Sequence, residues 1–186
     1  MLELLPLLVF TTCSGLAAGA YTVNVVCISG HGALEEERRP WLFPVVCLVL
    51  LGVGLLGTLM HLGHPLRFMN GLANPGSMIS QEAYWAMAFA VVLVADSIIT
   101  FSKGKVVKAL RWVGVVAGVG LMVVTSLAYF DSLGMPGWRS ASVMPFIVFG
   151  DIAAGSAVAL FLSPESKRTL LYQTTIAACI AWLVSI

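Results

Sequence analysis

Six stretches of this chain, near residues 2–27, 41–62, 82–101, 110–130, 141–162 and 169–186, are each apolar over about the 20 residues that an α-helix needs to cross a bilayer. That one feature removes most of the folds open to 186 residues. Hydrophobic residues make up 59% of the sequence and charged residues only 10%, against roughly a quarter charged in soluble domains. A water-soluble fold would have nowhere to hide such a surface. The stretches are continuously apolar, not alternating, which argues against the wall of a β-barrel. The first stretch has no basic flank, carries Glu3 and is too long for the apolar core of a signal peptide, so it reads as a helix. The expected fold is all-α: a polytopic transmembrane helix bundle of about six spans, with residues 1–186 forming a single domain.

The connections hold most of the charge. Glu35, Glu36, Glu37, Arg38 and Arg39 lie in the first and Arg67 in the second. Lys103, Lys105, Lys108 and Arg111 lie in the third, Asp131 and Arg139 in the fourth, and Glu165, Lys167 and Arg168 in the fifth. Eight of the ten Lys and Arg residues thus fall in connections one, three and five. Basic connections stay in the cytoplasm, so the N-terminus, connections two and four, and the C-terminus are expected outside. A net charge of +1 gives no sign of a nucleic-acid partner. Cys13, Cys27, Cys47 and Cys179 sit in or beside apolar stretches without a CxxC or Cys/His cluster, and read as small packing residues, not as disulfides or metal ligands. Gly15-x-x-x-Gly19, Gly114-x-x-x-Gly118 and the trio Gly52, Gly54 and Gly57 allow close helix approach, most simply within the chain itself.

Ionisable groups at membrane depth are costly and usually functional, and this chain has few. His61 ends the second span and Glu82 begins the third, with His64 and Arg67 between them. The two spans form a hairpin, so a carboxylate, imidazoles and a guanidinium converge near the outer interface. A quinol fits such a place: its hydroxyls need acceptors, and its oxidation releases two protons with two electrons. His61 and a partly desolvated Glu82 are suitable acceptors, and Arg67 can hold Glu82 ionised or orient a quinone oxygen. The competing reading is an interfacial hydrogen-bond cluster that staples the connection. Asp151 lies about 15 Å into the fifth span, and Asp96 roughly 20 Å beyond Glu82 toward the inner side. Each is either a proton relay or a core polar group bonded to a neighbouring helix.

Connection 63–81 mixes the turn residues Pro65, Gly71, Asn74, Pro75 and Gly76 with the apolar Leu66, Phe68, Met69, Leu72, Met78 and Ile79. A solvated linker needs no such apolar groups, so this segment is expected in the interface or beneath a partner protein. Connection 131–142, with Met135, Pro136, Gly137 and Trp138, has the same character. Ser80 stands where it can cap the third helix.

The segment His61-Leu62-Gly63-His64-Pro65-Leu66-Arg67, followed by Ser77 and Ser80-Gln81-Glu82, resembles the membrane-anchor subunit of dimethyl sulfoxide reductase, a family related to the polysulfide and nitrite reductase anchors. Tyr129 with Met135-Pro136-Gly137-Trp138 is similar to the family's second outer loop, and Glu3 to Thr11 to its first helix. The resemblance implies a menaquinol-oxidising anchor that binds no haem. Its partners are implied to be an iron–sulfur subunit and a molybdopterin catalytic subunit docked on 63–81 and 131–142, in the inner (cytoplasmic) membrane of a prokaryote. The family's essential histidine, arginine and glutamate fall on His61, Arg67 and Glu82. The implied roles are quinol hydrogen-bond acceptor, orienting cation and proton acceptor. Two departures stand out. Family members carry about eight helices and this chain about six, and His64 occupies a position where a small residue is expected.

Other functions fit less well. A haem anchor needs two axial ligands on facing helices, yet His61 and His64 are too close in sequence to take opposite faces of one haem, and His31 lies across the membrane from both. A small transporter is expected to break a helix at the midplane, and nothing interrupts the span around Asp151. A passive anchor without a quinol site leaves His61 and Glu82 to hold the connection.

Overall fold

The computed structural model describes residues 5–29, 40–61, 72–131, 140–163 and 168–185. Six helices follow one another: α1 (Leu5–Ser29), α2 (Leu42–His61), α3 (Met78–Lys103), α4 (Lys108–Phe130), α5 (Val143–Leu162) and α6 (Arg168–Val184). Five are long and apolar enough to cross a membrane, over Leu5–Cys27, Leu42–Leu59, Met78–Lys103, Lys108–Phe130 and Val143–Leu162. The sixth has 17 residues, which makes it roughly 25 Å long. No strand occurs among the described residues. The protein is a polytopic helical bundle, as its composition demands.

Side chains are distributed as a bilayer requires. Val91, Val94, Ile98, Val113 and Val116 face outward, whereas Ser14, Asn24, Asp96, Arg111, Thr125 and Ser156 are buried. Lipid accepts the former at no cost and penalises unpaired polar groups, so the polar atoms turn inward. The pattern on α4 is clear: Arg111, Gly114, Val115, Gly118, Leu121, Met122 and Thr125 recur at helical spacing on its buried face.

α1 is the hub. It packs against α2, α4 and α5, and touches α6 more lightly. α3 bridges α2 and α4, and α6 lies on α5. Small residues explain the central place of α1, since Ala17, Ala18 and Ala20 have no exposed surface. Gly54 of α2 rests on the Phe10 carbonyl, where a Cβ would come within 3.3 Å, and Gly57 rests on the Pro6 carbonyl at 3.1 Å. Gly114 of α4 lies under the Tyr21 ring, and Gly118 faces Ala18 and Thr22. The glycine pairs thus serve packing within the chain. Tyr21 meets Phe89 of α3 edge-to-face at 5.6 Å, and both belong to the central apolar core.

The α3–α4 turn is short because Gly104 caps α3 in the left-handed region at φ 60°, donating its N–H to the Thr100 carbonyl at 3.1 Å. α3 begins at Met78, one turn earlier than the apolar pattern suggests, with Ser77 at the N-cap. Ser80 is therefore a buried first-turn residue and not the cap. The Asn74–Ser77 turn takes over that work: Ser77 N–H donates to the Asn74 carbonyl at 3.0 Å, and the Gln81 side chain reaches the Pro75 carbonyl at 3.4 Å.

Candidate functional site

Two polar layers cross the bundle, one toward the end where α1 begins at Leu5 and one toward the end where α2 follows Pro40. In the first layer, Glu82 is the fifth residue of α3 and half-buried. Its carboxyl faces the Thr125 hydroxyl of α4. One turn along the same face of α4, the Tyr129 hydroxyl lies 2.6 Å from Thr11 Oγ1 of α1. Thr11 Oγ1 also lies 3.0 Å from the Leu7 carbonyl of its own helix, to which it can donate.

One turn further along α1, Gly15 leaves a notch that the Asp151 carboxyl of α5 fills. A side chain at Gly15 would overlap both carboxyl oxygens. The Asp151 backbone carbonyl rests on Gly19, and Gly155 rests on the backbone of Gly19 and Ala20. Gly15-x-x-x-Gly19 is thus the seat of α5 and, at the same time, the recess for its one acid. Among the described residues, nothing hydrogen-bonds to the Asp151 carboxyl. The carboxyls of Glu82 and Asp151 both lie within electrostatic reach of Tyr129. Glu82, Thr125, Tyr129, Thr11 and Asp151 therefore form a polar band through α3, α4, α1 and α5.

The second layer lies about 20 Å away along α3, fourteen residues on from Glu82. Asp96 Oδ2 accepts from Arg111 Nε at 3.1 Å and from the Tyr21 hydroxyl at 3.0 Å. Arg111 Nη2 donates to the Pro40 carbonyl at 3.1 Å. Both charged side chains are at most 1% exposed. This corrects the sequence reading of Arg111 as one of four basic residues in the third connection: it enters the helix and pairs with the acid of the preceding span. Two features permit this, the short turn at Gly104 and the first-turn position of Arg111 on α4, whose buried face points at α3. Hairpin arithmetic offers the missed signal, since Asp96 and Arg111 lie about equally far from that turn.

The expected convergence of His61, Arg67 and Glu82 is placed only at its last member. His61 closes α2 as backbone, but its side chain lies outside the described residues, as do His64 and Arg67. The same holds for residues 63–71 and 132–139 of the two connections. The described part of connection 63–81 carries exposed Ile79 beside the Asn74–Ser77 turn, and the Tyr84 hydroxyl donates to the Leu72 carbonyl. Asp151 is drawn toward the layer of Glu82, whereas Asp96 is not. Thr11, Tyr21, Thr125 and Arg111 do not stand out in the sequence as site residues, because each gains its meaning from a helix distant along the backbone. No group of three His, Cys, Asp or Glu side chains forms a metal site among the described residues.

Similarity to known proteins extends over the full length. The family model for the DMSO reductase anchor subunit (DmsC) matches residues 1–186. The C subunit of the anaerobic dimethyl sulfoxide reductase of Haemophilus influenzae is 28% identical over 172 residues, which cover 88% of this chain and 60% of that protein. The protein of the same name from Escherichia coli is 28% identical over 145 residues, covering 73% of this chain and 49% of its relative. The chain thus spans about half to three-fifths of the curated relatives it matches. No solved structure matches it significantly.

Proposed function

Because the chain belongs to the DMSO reductase anchor subunit family, we propose that it oxidises menaquinol within the bilayer and anchors a molybdopterin and iron–sulfur oxidoreductase. The observation that carries this reading is Glu82, a half-buried carboxyl at the end of a span, beside Thr125 and within reach of Tyr129. A membrane helix rarely keeps such a group without a use. In this reading the basic residues of connections one, three and five, seven without the buried Arg111, lie in the cytoplasm, so the Leu5 end of the bundle faces outward. His61 accepts a hydrogen bond from one quinol hydroxyl, Arg67 orients the ring oxygens, and Glu82 takes a proton. Each quinol converted to quinone yields two electrons, which pass to an iron–sulfur subunit docked on connections 63–81 and 131–142. Its two protons leave outward. The membrane is the inner membrane of a prokaryote, and the terminal reduction takes place in the molybdopterin subunit.

The test is turnover of the assembled complex in membranes. Glu82→Gln and His61→Ala should each lower quinol-driven turnover by about a hundredfold, the scale of one positioned acid or base. Reduced-dye turnover, which bypasses the anchor, should persist. Unchanged quinol turnover in both variants would leave a passive anchor as the better reading.

A further inference from the structure

A cavity of about 550 Å³ opens between α1, α5 and α6, lined by Thr11, Asp151, Phe146, Trp182 and the small side chains Ala154 and Ala157 among others. The Trp182 ring lies 5.3 Å from that of Phe146, and its indole nitrogen presses on the bare face of Gly150, 3.1 Å from where a Cβ would stand. These contacts set two aromatic rings, inclined by 36°, along one side of the cavity. Asp151, whose carboxyl fills the notch at Gly15, also lines the cavity.

That carboxyl is the one acid of the cavity and has no hydrogen-bond donor among the described residues. A carboxyl in an apolar, lipid-side recess needs a donor from elsewhere. A molecule that dissolves in lipid, packs against aromatic rings and presents a hydroxyl to a carboxylate supplies one. A quinol has these properties, and a phospholipid tail has none of the last two. The volume accommodates a two-ring head, within the common range of about 300–1,000 Å³ for small-molecule sites. The cavity also abuts the Glu82 layer, because Thr11 lines it while bonding to Tyr129.

We propose that this cavity is a lipid-side holding site for quinol, in which Asp151 accepts a hydrogen bond from one ring hydroxyl before the molecule reaches the Glu82 end. The inference rests on the reading of the protein as a quinol-oxidising anchor. Asp151 acts here in binding, and its effect belongs in KM more than in kcat.

The experiment uses the assembled complex in membranes with a photoreactive azidonaphthoquinone as probe, and with Ala154→Phe to fill the cavity and Asp151→Leu to remove the acceptor. In the unaltered protein the label should fall on the α5 segment Val143–Leu162 and be displaced by added naphthoquinol. Both variants should lose most of that label. They should raise KM for quinol about tenfold, the scale of one hydrogen bond to a charged group, with kcat within about twofold. Dye-driven turnover should stay unchanged and so report assembly. Label confined to the neighbourhood of Glu82, with KM unmoved in both variants, would overturn the holding site and leave quinol oxidation standing. Label on α5 that phospholipid displaces and naphthoquinol does not would make the cavity a lipid site and also overturn it. Absence of quinol-driven turnover in the unaltered complex would sink the functional reading itself, and the holding site with it.

Discussion

Replacing Arg111 by leucine should be among the most damaging single changes outside the Glu82 layer. The guanidinium and Asp96 are at most 1% exposed and 3.1 Å apart. At an effective dielectric constant near 20, two unit charges at that distance attract by about 5 kcal/mol. Desolvation offsets much of this attraction in the intact pair, but removing one partner leaves the other buried without compensation, which typically costs about 3–5 kcal/mol. Arg111→Leu also releases the Pro40 carbonyl, held at 3.1 Å, and with it the start of α2. Asp96→Leu takes the buried counter-charge from Arg111 and the hydrogen-bond acceptor from Tyr21. The double variant strands neither charge and should lie close to the intact protein, since well-packed apolar replacements of buried pairs are often nearly neutral. The three variants form a cycle whose coupling energy, two single losses of about 3–5 kcal/mol each against a double loss near zero, should be about 6 kcal/mol or more. The assay is unfolding of the purified protein in mild detergent titrated with dodecyl sulfate, followed by tryptophan fluorescence. A coupling below about 0.5 kcal/mol, the level of an exposed pair, would show that the pair is solvated and that the second polar layer does not hold the bundle together.

Glycine-to-alanine changes should separate by place. Gly19→Ala and Gly155→Ala drive a methyl into the backbone of the facing helix and should cost about 1–3 kcal/mol by overpacking. Gly52→Ala meets nothing within 4 Å and should be neutral or stabilising by up to about 1 kcal/mol, all read by the same titration. Gly104→Val puts a β-branched residue at φ 60° and should cost about 1–2 kcal/mol, with weaker amide-exchange protection at the end of α3 as its local sign. A cysteine at Lys105, in a protein whose own four cysteines are replaced by serine, should react with a membrane-impermeant maleimide only after the cells are broken. Labelling of intact spheroplasts would invert the orientation taken from the basic connections.

Much of the fold is legible in the sequence because a bilayer filters it so strictly. Spans expected at 41–62, 110–130 and 141–162 are found at Leu42–His61, Lys108–Phe130 and Val143–Leu162. The largest shift, at the start of α3, arises because Ser80 and Gln81 look like connection residues yet lie in a first turn braced by Pro75 and Ser77. The polar groups are harder to place. Glu82, Asp96 and Asp151 draw attention by charge alone, since few acids lie in apolar stretches. Their neighbours do not, because what Arg111, Tyr21, Thr11 and Tyr129 touch depends on which helices pack together. Apolarity fixes where a helix crosses but says little about its neighbours. The small-residue motif at Gly15 and Gly19 signals a close approach without saying that an aspartate fills it.

The central position of α1 has a consequence for how the protein is made. Of the six helices, the one made first is among the last to be completed. α2 can cover one side at once, yet the notch at Gly15 and Gly19 waits until α5 has been synthesised. At about 5–20 residues per second that wait is on the order of ten seconds. During it, Ser14, Gly15 and Gly19 present a tacky stripe that any small-residue helix can occupy, including α1 of a neighbouring nascent polypeptide. The yield of correctly assembled protein therefore depends on how fast the ribosome passes through α2 to α4, and not only on the stability of the finished bundle. Slow codons placed in that interval should lower yield even though they change no residue.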